Sequence, residues 1–228
     1  IDDARRAWLT QSFRFGPNVA RTATLVLDWL NSEPHVRGTG TITDRVGPHV
    51  VTDAILTRSN GAALEAVLTA IDDDIPVALV GGAAELERFA WAAKDLKEGR
   101  RTDHPDLACF ATWHEVLDFV ANDPMGADLK LLVDLVQRYS PGLITAMLHS
   151  LVDEDQAQLV VSTAHKSKGR EWNTVRLAGD FPDVPAELVH EVDEGELRLL
   201  YVAVTRAKTG LDVSRVPLFF NTPEKAEA

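Results

Sequence analysis

The 228-residue sequence holds a single cysteine, Cys109. An internal disulfide is therefore excluded, and a reducing cytoplasmic setting is the expectation. No apolar run approaches the ~18 residues of a membrane span, so a soluble protein with no membrane partner is expected. The chain opens on Ile1 with no signal peptide before it, which points to a piece whose true start lies upstream. Basic residues are in deficit, 23 Lys and Arg against 35 Asp and Glu, for a net charge of −12. That balance argues against adhesion to nucleic acid over the whole surface and leaves room for a local basic groove. The seven histidines show no metal-site spacing, and no metal is expected to be held by this chain. The remaining composition is that of a globular chain long enough for one large domain, or for a domain with an insertion.

Against this acidic background one basic stretch stands out. Leu159–Thr163 and Thr174–Leu177 are short β-branched runs, and between them lie Lys166, Lys168 and Arg170 with Gly169, His165 and Glu171. Short apolar runs bounded by turn residues fit buried strands of a parallel or mixed sheet. A cationic loop at the carboxyl end of such a strand is where open α/β sheets bind ligands, often phosphorylated ones. A solvated surface loop is the other reading of this stretch taken alone.

Along the chain, Ala7–Gln11 is a short apolar piece, and Asn18 is placed to cap a helix running to about Asn31. Arg37–Pro48 reads as a hairpin or loop, Val50–Thr57 as a strand, and a helix follows to about Ile71. Pro76–Val80 is a further short strand closing on Gly81-Gly82. Strand–helix–strand order with short links is the sign of βαβ units. Helical patterns over Ala83–Lys97, Thr112–Asn122, Ala127–Tyr139 and Leu143–Val152 then interrupt the alternation. The expected organisation is an α/β domain over 1–82 and 156–216, a helical insertion over 83–155 and a tail over 217–228. Asp180–Glu196, with seven acids and no Lys or Arg, reads as a solvated connector. Glu196–Lys208 reads as a helix apolar on most sides, hence buried, and Leu211–Val216 as the last strand. Trp172, Leu199 and Tyr201 read as core.

Arg206 is the most informative single residue outside the loop. A guanidinium in such a position must meet an anion or cost several kcal/mol of desolvation. Either an acid of this chain pairs with it, or it is directed at a phosphate, a task suited to its planar, permanently charged fork. Arg14, among aromatic residues, poses the same choice.

Four stretches in order resemble the second RecA-like domain of superfamily 1 DNA helicases of the UvrD/PcrA/Rep group. Gln11-Ser12-Phe13-Arg14 resembles their Q-N-Y-R element, and Ile55-Leu56-Thr57-Arg58-Ser59-Asn60 resembles I-L-Y-R-S-N. Residues 163–172, T-A-H-K-S-K-G-R-E-W, resemble T-x-H-x-x-K-G-L-E-F. Residues 196–207, E-L-R-L-L-Y-V-A-V-T-R-A, resemble E-x-R-L-L-Y-V-A-x-T-R-A. The wording around Ser12–Gly16 is nearest the F-box DNA helicase branch. The resemblance implies a RecA-like, P-loop-NTPase-type parallel sheet flanked by helices.

It also implies roles. Phe13 takes the place of the aromatic that stacks on adenine, and Glu171, with Gly169 in the same motif, that of the acid binding the ribose hydroxyls. Arg14 and Arg206 match the two arginines that reach the γ-phosphate of ATP. Arg58, Asn60, Thr163 and His165 fall where the family touches single-stranded DNA. Two departures are Phe13 for the usual Tyr and Arg170 for an apolar residue. The partners implied are single-stranded DNA and the N-terminal RecA-like domain of the same protein, which would supply the phosphate loop and the Mg2+ ligands. None of the fourteen glycines is followed by Lys, so the Gly-Lys end of a phosphate loop is missing. Leu151–Gln156 imitates a D-E-x-Q magnesium motif, but the segment before it (His149, Ser150) is a poor strand. A catalytically silent DNA- or protein-binding module is the alternative to a motor domain. A stand-alone phosphate-handling enzyme is disfavoured because no nucleophile–base pair is visible.

Overall fold

A computed structural model describes residues 10–33, 35–48 and 51–220. The expected starts at Ala7 and Val50, and the tail from residue 221, lie outside the described residues. Among the described residues lie six strands and seven α-helices, an α/β fold of parallel sheet and flanking helices. The strands are β1 (Arg45–Val46), β2 (Ala54–Thr57), β3 (Val77–Leu79), β4 (Leu159–Thr163), β5 (Trp172–Leu177) and β6 (Ala207–Asp212). The helices are α1 (Pro17–Trp29), α2 (Asn60–Asp72), α3 (Ala84–Lys97), α4 (Trp113–Asn122), α5 (Ala127–Arg138), α6 (Pro141–Leu148) and α7 (Glu194–Val204). The chain divides into two compact units, residues 1–58 with 167–228, and residues 59–166.

In the first unit β6 pairs in parallel with both β1 and β5, and β5 pairs in parallel with β2. Arg37–Pro48 therefore does not close a hairpin: its two-residue strand joins β6 in parallel instead. Helix α1 packs against α7 and β6 through Val19, Ala20, Ala23 and Val26, spaced so that one face is apolar. Its start differs from the expected Asn18 cap. Gly16 is the cap residue and offers no side chain, and Pro17 presets the first turn. The free amides are met from a distance by Asp44, whose carboxylate accepts from Asn18 N at 3.1 Å and Val19 N at 2.6 Å. A Cβ on Gly16 would lie 2.4 Å from Asp44 Cγ, so glycine makes room for this remote cap. Leu56, Val175, Leu177, Leu197, Leu200 and Leu211 form the fully buried centre of the unit.

In the second unit β3 and β4 pair in parallel, Val77 opposite Leu159. Every residue of β4 is buried, as expected of an apolar run in a parallel sheet. Ser59 caps α2 by accepting from Ala62 N. Gly61 lets α2 approach α5, because a Cβ there would sit 2.8 Å from Leu131 Cβ. Thr112 accepts from Glu115 N, and Glu115 reaches back to Ala111 N, a reciprocal cap that starts α4. Leu64, Phe89, Leu107, Val133, Ile144 and Val161 fill this core. Asp153–Gln156 form a turn between α6 and β4 rather than a strand end.

Among the described residues no helix is long and apolar enough to cross a membrane. Asp44→Ala should cost about 1–3 kcal/mol by leaving the buried amides of α1 unsatisfied. The urea midpoint should fall at unchanged m-value, and an unaltered midpoint would show that water replaces the carboxylate.

Candidate functional site

The largest concentration of expected site residues lies in the first unit, at the amino ends of β5 and β6. Parallel pairing sets Trp172 opposite Ala207, and Trp172 N donates to Arg206 O at 3.0 Å. Glu171, one residue before Trp172, and Lys208, one residue after Ala207, lie diagonally across the two strands, and their long side chains meet. Lys208 Nζ lies 2.7 Å from Glu171 Oε1, and Arg14 Nε lies 2.8 Å from Glu171 Oε2. Each carboxylate oxygen thus holds a different cation. Lys208 foremost, with Arg14 adding to it, holds the Glu171 carboxyl below its ordinary value of 4.5, against a smaller opposing effect of desolvation.

Arg14 sits in the turn Ser12–Gly16, fixed by Ser12 N donating to Arg37 O at 2.8 Å and Gln11 Nε2 donating to Gly38 O at 3.0 Å. Side chains alternate through the turn. Phe15 is buried and anchors it, while Phe13 is 80 % exposed, an aromatic face standing in solvent.

Arg206 is 8 % exposed. Its Nε donates to Val202 O at 2.9 Å, Nη1 to Arg170 O at 3.1 Å and Nη2 to Thr205 Oγ1 at 3.0 Å. All three acceptors are neutral, and among the described residues no carboxylate lies within ion-pair distance of it. Burial pushes its pKa down, Arg14 pushes the same way, and Glu171 and Tyr201 oppose them. The internal ion pair weighed for Arg206 is absent among the described residues, so the buried cation is framed by dipoles alone.

Its local setting differs from the expected one. The helix over Glu196–Lys208 begins earlier and stops at Val204, and the strand expected over Leu211–Val216 is β6, Ala207–Asp212. Thr205 Oγ1 donates toward the Tyr201 and Val202 carbonyls, 3.0 Å from each. It thus occupies the last carbonyls of the helix while pairing with β5 draws Ala207 onward into the sheet. Arg206 therefore lies in the two-residue link between helix and strand. Nor is α7 apolar all round: Arg198 is exposed and pairs with Glu194 at 2.7 Å. Leu199 is core, whereas Trp172 and Tyr201 are only half-buried.

Gly169, in the link between β4 and β5, has φ +82, a left-handed backbone that glycine adopts without strain. Arg58 lies at the opposite, carboxyl end of β2 in the first unit. Its guanidinium forks onto Glu196, Nε to Oε2 at 3.0 Å and Nη2 to Oε1 at 2.8 Å, and its backbone N donates to both Asp180 carboxylate oxygens at 3.0 Å. Asp180 and Glu196 thus belong to ordered structure, where a solvated connector was expected. In the second unit Asn60 opens α2 and donates to Glu85 Oε1 at 3.4 Å, while Lys166 Nζ lies 3.4 Å from Glu85 Oε2. Thr163 ends β4 buried, its Oγ1 accepting from Lys166 N at 3.3 Å, and His165 is exposed.

Residues 113–216 match the UvrD-like helicase C-terminal domain. This stretch resembles a UvrD-like helicase C-terminal domain. It is similar to F-box DNA helicase protein 1 of Schizosaccharomyces pombe, 28% identical over 232 residues, which cover 89% of this chain and 26% of that protein. It is likewise similar to F-box DNA helicase 1 of Gallus gallus, 29% identical over 251 residues, 91% of this chain and 23% of that protein. Both relatives lie in the branch to which the Ser12–Gly16 wording pointed. The chain spans about a quarter of the length of these curated relatives. The UvrD-like match covers the two most specific motifs, at 163–172 and 196–207, and Lys208 directly after them. Lys208 was not singled out because it lies one residue beyond the second motif, and only strand pairing brings it to Glu171.

Lowering of the Glu171 pKa fixes a sign. A carboxyl whose folded pKa is depressed stabilises the fold above its unfolded value, and that contribution is lost as pH falls through the folded one. Glu171→Gln should flatten the stability profile only at and below about pH 4.5. In an NMR titration Lys208→Met should raise the Glu171 pKa more than Arg14→Ala does, and the reverse order would reassign the dominant partner.

Proposed function

We propose that this chain is the C-terminal motor domain of an ATP-dependent DNA helicase or translocase. It would supply arginine fingers to a cleft completed by the N-terminal RecA-like domain of the same protein. The observation that carries this reading is Arg206, a buried guanidinium oriented by three neutral acceptors with no carboxylate beside it among the described residues. Such a group is preorganised for an anion delivered from outside, the arrangement that stabilises charge on a transferred phosphoryl group.

The residues present suit a nucleotide polyphosphate. Two cations, Arg14 and Lys208, share the acid Glu171, Arg206 has no carboxylate partner among the described residues, and the exposed ring of Phe13 offers a stacking face for adenine. Arg14 and Arg206 are assigned to the γ-phosphate, Glu171 to the ribose hydroxyls, and Gly169 to the loop geometry beside them. Bound ATP would supply the free energy for movement. Mg2+ ligands are assigned to the N-terminal domain; among the described residues no group of three or more His, Cys, Asp or Glu side chains could hold a metal. Arg58, Asn60, Thr163 and His165 are assigned to single-stranded DNA. Exposed His165 is the most accessible of them, and Arg58 would have to reach DNA while forked onto Glu196.

The 228-residue chain alone should not hydrolyse ATP, with or without single-stranded DNA, because a phosphate loop ending in Gly-Lys is missing from it. DNA-stimulated turnover in a steady-state assay of the purified chain would overturn the half-motor reading.

In the full-length natural protein, Arg206→Ala should lower turnover by about 10³ or more while ATP affinity stays within a few-fold. Arg206→Lys should not restore it, since a point charge cannot reproduce the planar fork. Loss of three hydrogen bonds should also lower stability by about 1–3 kcal/mol, so turnover is read per folded molecule from parallel melting curves. Near-normal turnover per folded molecule would end the finger assignment.

A further inference from the structure

The geometry points to Lys208 as a positioning residue of the nucleotide site, one that keeps Glu171 paired so that Arg14 is free to leave it. The inference rests on the phosphate-directed reading of Arg14 above. The two cations on Glu171 are mounted differently. Lys208 rises from β6, whose backbone pairs with β5 on both sides of it, Trp172 opposite Ala207 and Thr174 opposite Gly210, with a shift of register between the two pairs. Arg14 comes from the turn Ser12–Gly16, held by the hydrogen bonds of Ser12 and Gln11. One partner is fixed in the sheet, while the other is carried on a turn.

Because the contacts are divided between the two carboxylate oxygens, Lys208 on Oε1 and Arg14 on Oε2, either cation can depart without displacing the other. In the structure Arg14 is occupied by Glu171, so reaching a phosphate requires exchanging a carboxylate for a phosphoryl oxygen. With Lys208 in place the departing Arg14 leaves a carboxylate that is still compensated. Without Lys208 the same carboxylate would have Arg14 as its one ion-pair partner among the described residues. It would then compete with the phosphate for that guanidinium. The side chains of Arg14, Glu171 and Lys208 are each more than a third exposed in the structure. The competition is therefore screened by water, and its effect is modest.

Such a role gives a signature that a merely structural lysine would not. In the full-length protein Lys208→Met should lower kcat for ATP by about two- to five-fold, the scale of a screened ion pair, and Lys208→Arg should restore it. Adding Glu171→Gln to Lys208→Met should bring kcat back to that of Glu171→Gln alone, because the competing carboxylate is gone. Independently of turnover, NMR titration of the 228-residue chain should show the Glu171 pKa rising in Lys208→Met and staying low in Lys208→Arg. A Lys208→Met kcat equal to wild type overturns the assignment, as does a double variant whose losses simply multiply. If Arg14→Ala also leaves kcat unchanged, the phosphate reading of Arg14 falls with it. If Arg14→Ala abolishes turnover while Lys208→Met is silent, only the role of Lys208 falls.

Discussion

The candidate site depends on the parallel pairing of β5 with β6. One backbone bond, Trp172 N to Arg206 O, with the register that sets Trp172 opposite Ala207, fixes three side chains of the candidate site together. Glu171 precedes the paired residue on one strand, and Arg206 and Lys208 flank its partner on the other. Sheet register moves in whole residues and cannot drift by fractions of one, so the spacing of these groups is held by the most rigid element available. The register of this same pairing shifts between Trp172 and Thr174.

Two arginines of the first unit show how differently the same side chain is managed. Arg58 is half-buried and meets Glu196 in a two-point fork, which compensates its charge inside the unit. Arg206 is more deeply buried and meets only two backbone carbonyls and a hydroxyl. Desolvating a charge without a counter-charge is costly, and hydrogen bonds to dipoles offset only part of that cost. The pKa of Arg206 is pushed downward for this reason. A protein under pressure for stability alone would be expected to place an acid there, and this one commits Glu171, whose charge Arg206 senses, to two other cations.

The α/β class, the helical block and most element positions were legible in the sequence because they rest on local signals. Apolar periodicity and short apolar runs bounded by turn residues act within a few positions. The motif-bearing residues Arg14, Glu171 and Arg206 were likewise legible, and the fold brings them together. What escaped was set by tertiary contact. Asp44 caps α1 from 25 residues away, and Lys208 meets Glu171 only through strand register. The end of α7 was misplaced because apolar Tyr201–Val204 suits helix or strand equally, and pairing with β5 decides where one becomes the other. Glu196 and Asp180 looked like solvated acids because their partner, Arg58, lies more than a hundred residues earlier.

Helix α7 begins at the carboxyl end of the strands and delivers the chain to their amino end. Glu196 in its first turn grips Arg58, and Arg206 follows two residues after its last turn. Eleven residues at 1.5 Å each make a rod of about 16 Å, and hydrogen-bonded helices resist stretching. The Arg58–Glu196 fork and the Arg206 guanidinium thus stand at opposite ends of one stiff rod, which holds the spacing between them constant.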